Sequence, residues 1–123
     1  MTRKPTAGTP KAPAARQLGD LEELVLLAVL RLGDGAWGAR IQQELEDRAG
    51  RSVSIGTVYV TLMRLEEKGL ARSWMGEPTG ERGGKARRHF EVRPEGVQAL
   101  EASRAVRERM WQGLGEERAA RAR

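Results

Sequence analysis

The 123-residue chain reads as a mainly α-helical fold with one small β-hairpin, an α+β class. Three features predict this. Three successive segments have helical apolar spacing with their own start and stop signals, two strand-like runs flank a Gly- and Pro-rich loop, and a proline opens a last helical stretch. At this length one core is expected rather than two.

The first helix is expected over Leu18 to Leu32 (LGDLEELVLLAVLRL), with Asp20 as its cap, Glu22 and Glu23 at the positive end of the dipole and Gly33 as its stop. It is so apolar that nearly every side should face protein. A second, amphipathic helix fits Trp37 to Arg48, where Ile41, Leu45 and Ala49 recur every four residues before Gly50. The third, SIGTVYVTLMRLEEKG, opens on Ser54 as N-cap and closes at Gly69 after Lys68. At about 100° per residue, Ile55, Val58, Leu62 and Leu65 should face inward with Tyr59 at the edge, leaving Thr57, Val60, Thr61 and Arg64 outward.

LARSWM and RRHFEV then read as strands joined by GEPTGERGGKA, a hairpin with a long basic tip. From Pro94 a final helix runs to about Leu114, with Val97, Leu100, Val106, Met110, Trp111 and Leu114 at helical spacing. The ends differ from the middle. Residues 1–17 carry Pro, Ala, Thr and Gly with basic residues and no acid, which predicts a flexible basic arm, and residues 115–123 read as a flexible tail.

Lysine and arginine outnumber acids 22 to 17, and the sequence pI is about 10.4, which favours a polyanionic partner, nucleic acid or an anionic membrane surface. Without cysteine there is neither a disulfide nor a thiolate metal site, and no metal or other cofactor is expected. The longest apolar run, Leu24 to Leu30, is far short of the roughly 20 residues that span a bilayer, so no membrane is expected as a partner and the cytoplasm, on the nucleoid, is the expected location.

The order helix, helix, helix, strand, basic loop, strand, helix is that of a winged helix-turn-helix with an added C-terminal helix. Such a body suits a DNA duplex: the third helix enters the major groove and the hairpin lies on adjacent phosphates. Ser54, Thr57 and Thr61 are small hydroxyl residues that permit close backbone approach, Arg64 can reach a base edge or phosphate, and an outward Val60 can meet a thymine methyl. At the tip Arg82, Lys85, Arg87 and Arg88 outweigh Glu77 and Glu81.

IGTVYVTLMRLEEKGLARSW followed by GGKARRHFEVRPEG resembles the PadR family of bacterial transcriptional regulators, the resemblance running from about Leu18 to Leu100. It implies DNA-facing roles for Gly56, Thr57, Tyr59 and Arg64, and backbone contacts from Arg87 and Arg88. It also implies a repressor. The single C-terminal helix resembles the short subgroup that forms homodimers, which makes Val97, Leu100, Val106, Met110, Trp111 and Leu114 interface candidates at residues 94–114, with residues 18–93 as the DNA-binding domain. Two-fold pairing would present two recognition helices about one DNA turn apart, hence a pseudo-palindromic operator.

Rival readings are weaker. Gly33-Asp34-Gly35-Ala36-Trp37-Gly38 spells GxGxxG, but no acid follows at the spacing a dinucleotide site needs, and Gly80 to Lys85 lacks phosphate-loop spacing, with Ala86 where a hydroxyl is required. His89 is the only histidine, so no catalytic set remains and the chain is not expected to be an enzyme. A ligand-sensing or protein-binding adaptor on the same scaffold is the alternative function. Trp37, Trp74 and Trp111 could then line an effector pocket at a dimer seam, although core or interface tryptophans explain them more simply.

Overall fold

The computed structural model describes residues 17–77 and 86–122; the basic arm of residues 1–16 and the tip cations Arg82 and Lys85 lie outside the described residues. Three helices come first: α1 (Asp20–Leu32), α2 (Gly38–Ala49) and α3 (Ile55–Glu67). They are followed by the strands β1 (Ala71–Met75) and β2 (Arg88–Val92), then α4 (Pro94–Trp111) and a single turn, α5 (Arg118–Arg121), within the stretch expected to be a tail.

The core lies between α1, α2, α3 and one face of the hairpin. Val25, Leu26 and Val29 of α1 meet Ile41 and Leu45 of α2, Val58, Leu62 and Leu65 of α3, and Phe90 of β2, all essentially solvent-free. The strands pair antiparallel with Ala71 opposite Val92 and Met75 opposite Arg88. Because strand side chains alternate, Ala71 and Phe90 face the core while Arg72, Trp74, His89 and Glu91 share the other face. A third short segment joins this sheet beside β2, through a Trp37–His89 bridge and a Phe90 N–H that donates to the Ala36 carbonyl at 2.9 Å.

Two details of α1 depart from expectation. Gly19, not Asp20, takes the N-cap position, and its N–H donates to Glu22 Oε1 at 2.8 Å; Asp20 instead accepts from Arg51 Nη1 at 3.0 Å. Nor is the helix enclosed on all sides, since Leu27 and Leu30 are exposed. In α4, Leu100 is buried in the body's core rather than free for a partner, and Val97 is half-buried; the interface assignment of Leu100 is thereby corrected. The reason is position: Leu100 belongs to the first turns of α4, which are held against the body, whereas Met110 and Trp111 extend beyond them and are 73% and 62% exposed.

Glu22 ties the start of α1 to the end of α3. Its Oε1 accepts from Gly19 N–H and from Lys68 Nζ at 2.7 Å. Burial works to raise its pKa, but those two hydrogen bonds together with the charges of Lys68 and Arg64 hold it below the ordinary 4.5. A carboxyl held low in the folded state contributes stability above its unfolded pKa and loses it as pH falls through the folded value. Urea denaturation followed from neutral pH to below 4.5 should therefore show stability declining in the acid range, and Glu22→Gln should flatten that decline.

Candidate nucleic-acid interface

Helix α3 starts where Ser54 Oγ accepts the Thr57 N–H at 3.1 Å and itself donates to Thr57 Oγ1 at 2.9 Å. This cap frees no hydroxyl by itself, but it fixes the first turn at the surface. The rotation of the helix then follows from burial. Val58, Thr61, Leu62 and Leu65 form the inward arc, so the uncovered arc is Gly56, Tyr59, Val60, Met63 and Arg64.

Two assignments change as a result. Thr61, expected outward, is only 4% exposed, and its Oγ1 donates to the Thr57 carbonyl at 2.7 Å, which satisfies the buried hydroxyl. Ile55, expected inward, is exposed at the tip of the helix, beyond the reach of the core. Met63, which the reading of the sequence passed over, is 58% exposed at the middle of the open face. A count of 100° per residue from Val58, Leu62 and Leu65 alone would have found it; the polar character of Thr61 drew the outward arc one position too far round.

Each flank of this face is built by a different element. On one side a groove runs between Gly19, Leu21 and Glu22 of the α1 region and Gly56, Val60 and Arg64 of α3. On the other, Tyr59 crosses to the start of α2: a Cβ at Gly38 would sit 2.5 Å from the Tyr59 hydroxyl oxygen, and the Tyr59 ring lies 6.3 Å from that of Phe90. A side chain at position 38 would have to displace the Tyr59 ring.

Charge is distributed unevenly over the body. Arg31, Arg48, Arg51, Lys68, Arg72 and Arg93 each pair with a carboxylate at 2.5 to 3.4 Å. Among the described residues, Arg40, Arg64, Arg87 and Arg88 form no ion pair, although Arg64 lies near enough to Glu22 to lower its pKa. Arg88 Nη1 donates to Ser73 Oγ at 2.9 Å, and Ser73 Oγ donates to Glu66 Oε2 at 2.6 Å, so Arg88 is tethered to the strand beside it. Arg87 lies over the Trp37 ring at 4.4 Å. Arg40, Arg64, Arg87 and Arg88 belong to the first turn of α2, to α3 and to the hairpin, the segments that border the open face; Arg109, Arg118 and Arg121, likewise without an ion pair among the described residues, lie in α4 and α5.

The three tryptophans do not converge. Trp37 and Trp74 flank His89, at centroid distances of 5.4 and 5.7 Å, while Trp111 stands near the end of α4 with Arg118 over its ring at 5.9 Å. Trp74 and Trp111 are exposed, so neither is a core residue. Among the described residues no group of three His, Asp or Glu side chains is placed to share a metal ion.

The Gly38–Tyr59 approach is testable in the free protein. Gly38→Ala should destabilise by about 1–3 kcal/mol through overpacking, and combining it with Tyr59→Ala should recover part of that loss. Additive losses in a denaturation cycle would mean that the two residues do not share this contact.

The profile of the Transcriptional regulator PadR-like family matches residues 26–102, more than half of the chain. Solved structures share the fold. A PadR-like transcription factor from Bacteroides fragilis superposes with a TM-score of 0.62 at 24% identity, covering 73% of this chain and 82% of that one. A PadR family transcription regulator from Clostridium difficile R20291 gives 0.59 at 26% identity over 76% of this chain and 98% of its own. For a PadR family transcriptional regulator from Eggerthella lenta the TM-score is 0.60 at 25% identity, with 88% and 86% covered. No curated protein matches the chain. Its winged helix-turn-helix body, its open third helix and the matched profile together mean that the chain belongs to the PadR-like family of transcriptional regulators and is a DNA-binding regulator.

Proposed function

We propose that the protein is a sequence-specific repressor that binds a pseudo-palindromic operator as a homodimer, on the nucleoid in the cytoplasm. One observation carries the reading of sequence: the face of α3 formed by Gly56, Tyr59, Val60, Met63 and Arg64 is uncovered, while Val58, Thr61, Leu62 and Leu65 on its other side are packed into the core. An exposed arc with a glycine at its start, aliphatic groups at its centre and a guanidinium at its edge suits a major groove, where close approach, thymine methyls and guanine acceptors are read together. Ser54 and Thr57 border the same face and are proposed as phosphate or base contacts, Arg87 and Arg88 as backbone contacts, and Arg82 and Lys85 as further cations of the wing. Thr61 is no longer included. Repression follows from an occupied operator blocking transcription, a role supported by the family alone.

Two apolar rows support dimerisation. Glu23 of α1 meets both Ser103 Oγ, at 3.2 Å, and Arg107 Nη1, at 3.3 Å. From that junction Leu27 and Leu30 continue along α1 and Val106, Met110 and Trp111 along α4, all exposed in a single chain. An apolar surface of this kind is expected to be covered by a second copy. In this division residues 18–93 bind DNA, 94–114 carry the dimer contact, and the ends serve as arm and tail.

Selection of bound fragments from genomic DNA at physiological salt should enrich sites with inverted symmetry; unstructured enrichment would refute operator reading. On a selected site Arg64→Ala should cost about 1–3 kcal/mol, with less lost on random duplex. Replacing Met110 or Trp111 by Asp should weaken self-association by at least about 2 kcal/mol, visible in sedimentation as a monomer where the unaltered chain is a dimer.

A further inference from the structure

The run Gly33 to Gly38 takes no part in the reading of DNA proposed above, yet its last four residues are each fixed by a contact. Gly35 lies against the Arg40 guanidinium, where a Cβ would come within 2.5 Å of Nη1. Ala36 accepts the Phe90 N–H, Trp37 bridges His89, and Gly38 lies against Tyr59. The segment therefore joins the hairpin to the open face of α3 at its Tyr59 edge.

Trp74, His89 and Trp37 form a row of rings across the sheet, on the face opposite Phe90. Arginines cover both ends of the row. At one end Arg72 lies 5.0 Å from the Trp74 centroid and is neutralised by Glu91 at 2.5 Å. At the other, Arg87 at 4.4 Å and Arg40 at 5.4 Å share the Trp37 ring, and neither has a carboxylate among the described residues. Two like charges beside one ring repel each other, and an anion within reach of both would relieve that repulsion. Stacking also fixes the guanidinium plane, so less freedom is lost when its forked N–H groups meet phosphate oxygens.

We infer that Trp37 is a positioning platform that aims Arg40 and Arg87 together at the phosphodiester backbone, beside the groove that α3 enters. This rests on the DNA-binding reading of α3. It adds Arg40 and Trp37 to the interface and places the platform beside Tyr59 through the Gly38 contact.

The test is the salt dependence of binding to the selected operator and to a random duplex. Each lost phosphate contact lowers the slope of log affinity against log salt by about 0.9. Arg40→Ala and Arg87→Ala should each produce that loss, equally on both duplexes, and the double variant about 1.8. Trp37→Leu, which removes no charge, should lower the slope in the same direction, and Trp37→Phe should restore most of it; Arg72→Ala, already neutralised, should leave the slope unchanged. Should Trp37→Leu fail to fold, the two arginine variants decide. The unaltered protein binding duplex while Arg40→Ala keeps its slope and affinity would overturn the inference alone, as would a loss confined to the operator. If the unaltered protein binds no duplex at all, the reading of α3 falls first and the platform with it.

Discussion

The rotation of α3 about its own axis is the constraint on which the rest of the molecule depends. Val58, Leu62 and Leu65 are fully buried against α1, α2 and Phe90, and interiors pack too densely to let a helix turn by one position without opening voids. That packing alone determines that Gly56, Val60, Met63 and Arg64 point away from the body. The open face therefore owes its orientation to a hydrophobic contact on the opposite side of the same helix.

Much of this was legible in the chain itself. Ser54 as cap, Gly50 and Gly69 as stops and the paired strand runs are local signals, and each is realised within a residue or two. What was misread is instructive. Thr61 carries a hydroxyl that can be satisfied by its own helix, so polarity was a poor guide to exposure, while Leu100 looked like its neighbours on α4 although only its end of the helix touches the body. The contribution of Trp37 and Arg40 could not be read at all, because it depends on a bridge to His89 across more than fifty residues of chain. Periodicity reports which side of an element is apolar; it does not report which distant strand will come to lie beside it.

Charge follows the same logic of neighbourhood. The body is rich in both signs, and several of its arginines are matched by acids on other elements, as in Arg31 with Glu44 or Arg51 with Asp20. Such exposed pairs add little to stability. Their greater effect is local neutralisation of positive charge, which leaves Arg40, Arg64, Arg87 and Arg88 unmatched around the open helix and the hairpin, and Arg109, Arg118 and Arg121 unmatched toward the C-terminal end.

The attachment of α4 has a mechanical consequence. Leu100 is its last buried residue, and beyond it the helix is held to α1 by the polar contacts of Ser103 and Arg107 with Glu23. The stretch from Leu100 to Trp111 is a lever about 16 Å long, with its fulcrum in the core and its free end carrying the apolar residues. A tilt of about 5° at the fulcrum displaces the far end by roughly 1.5 Å. The angle at that fulcrum, set by Leu100 in the core and by Glu23 on α1, therefore decides where the exposed apolar end of the helix stands relative to the body.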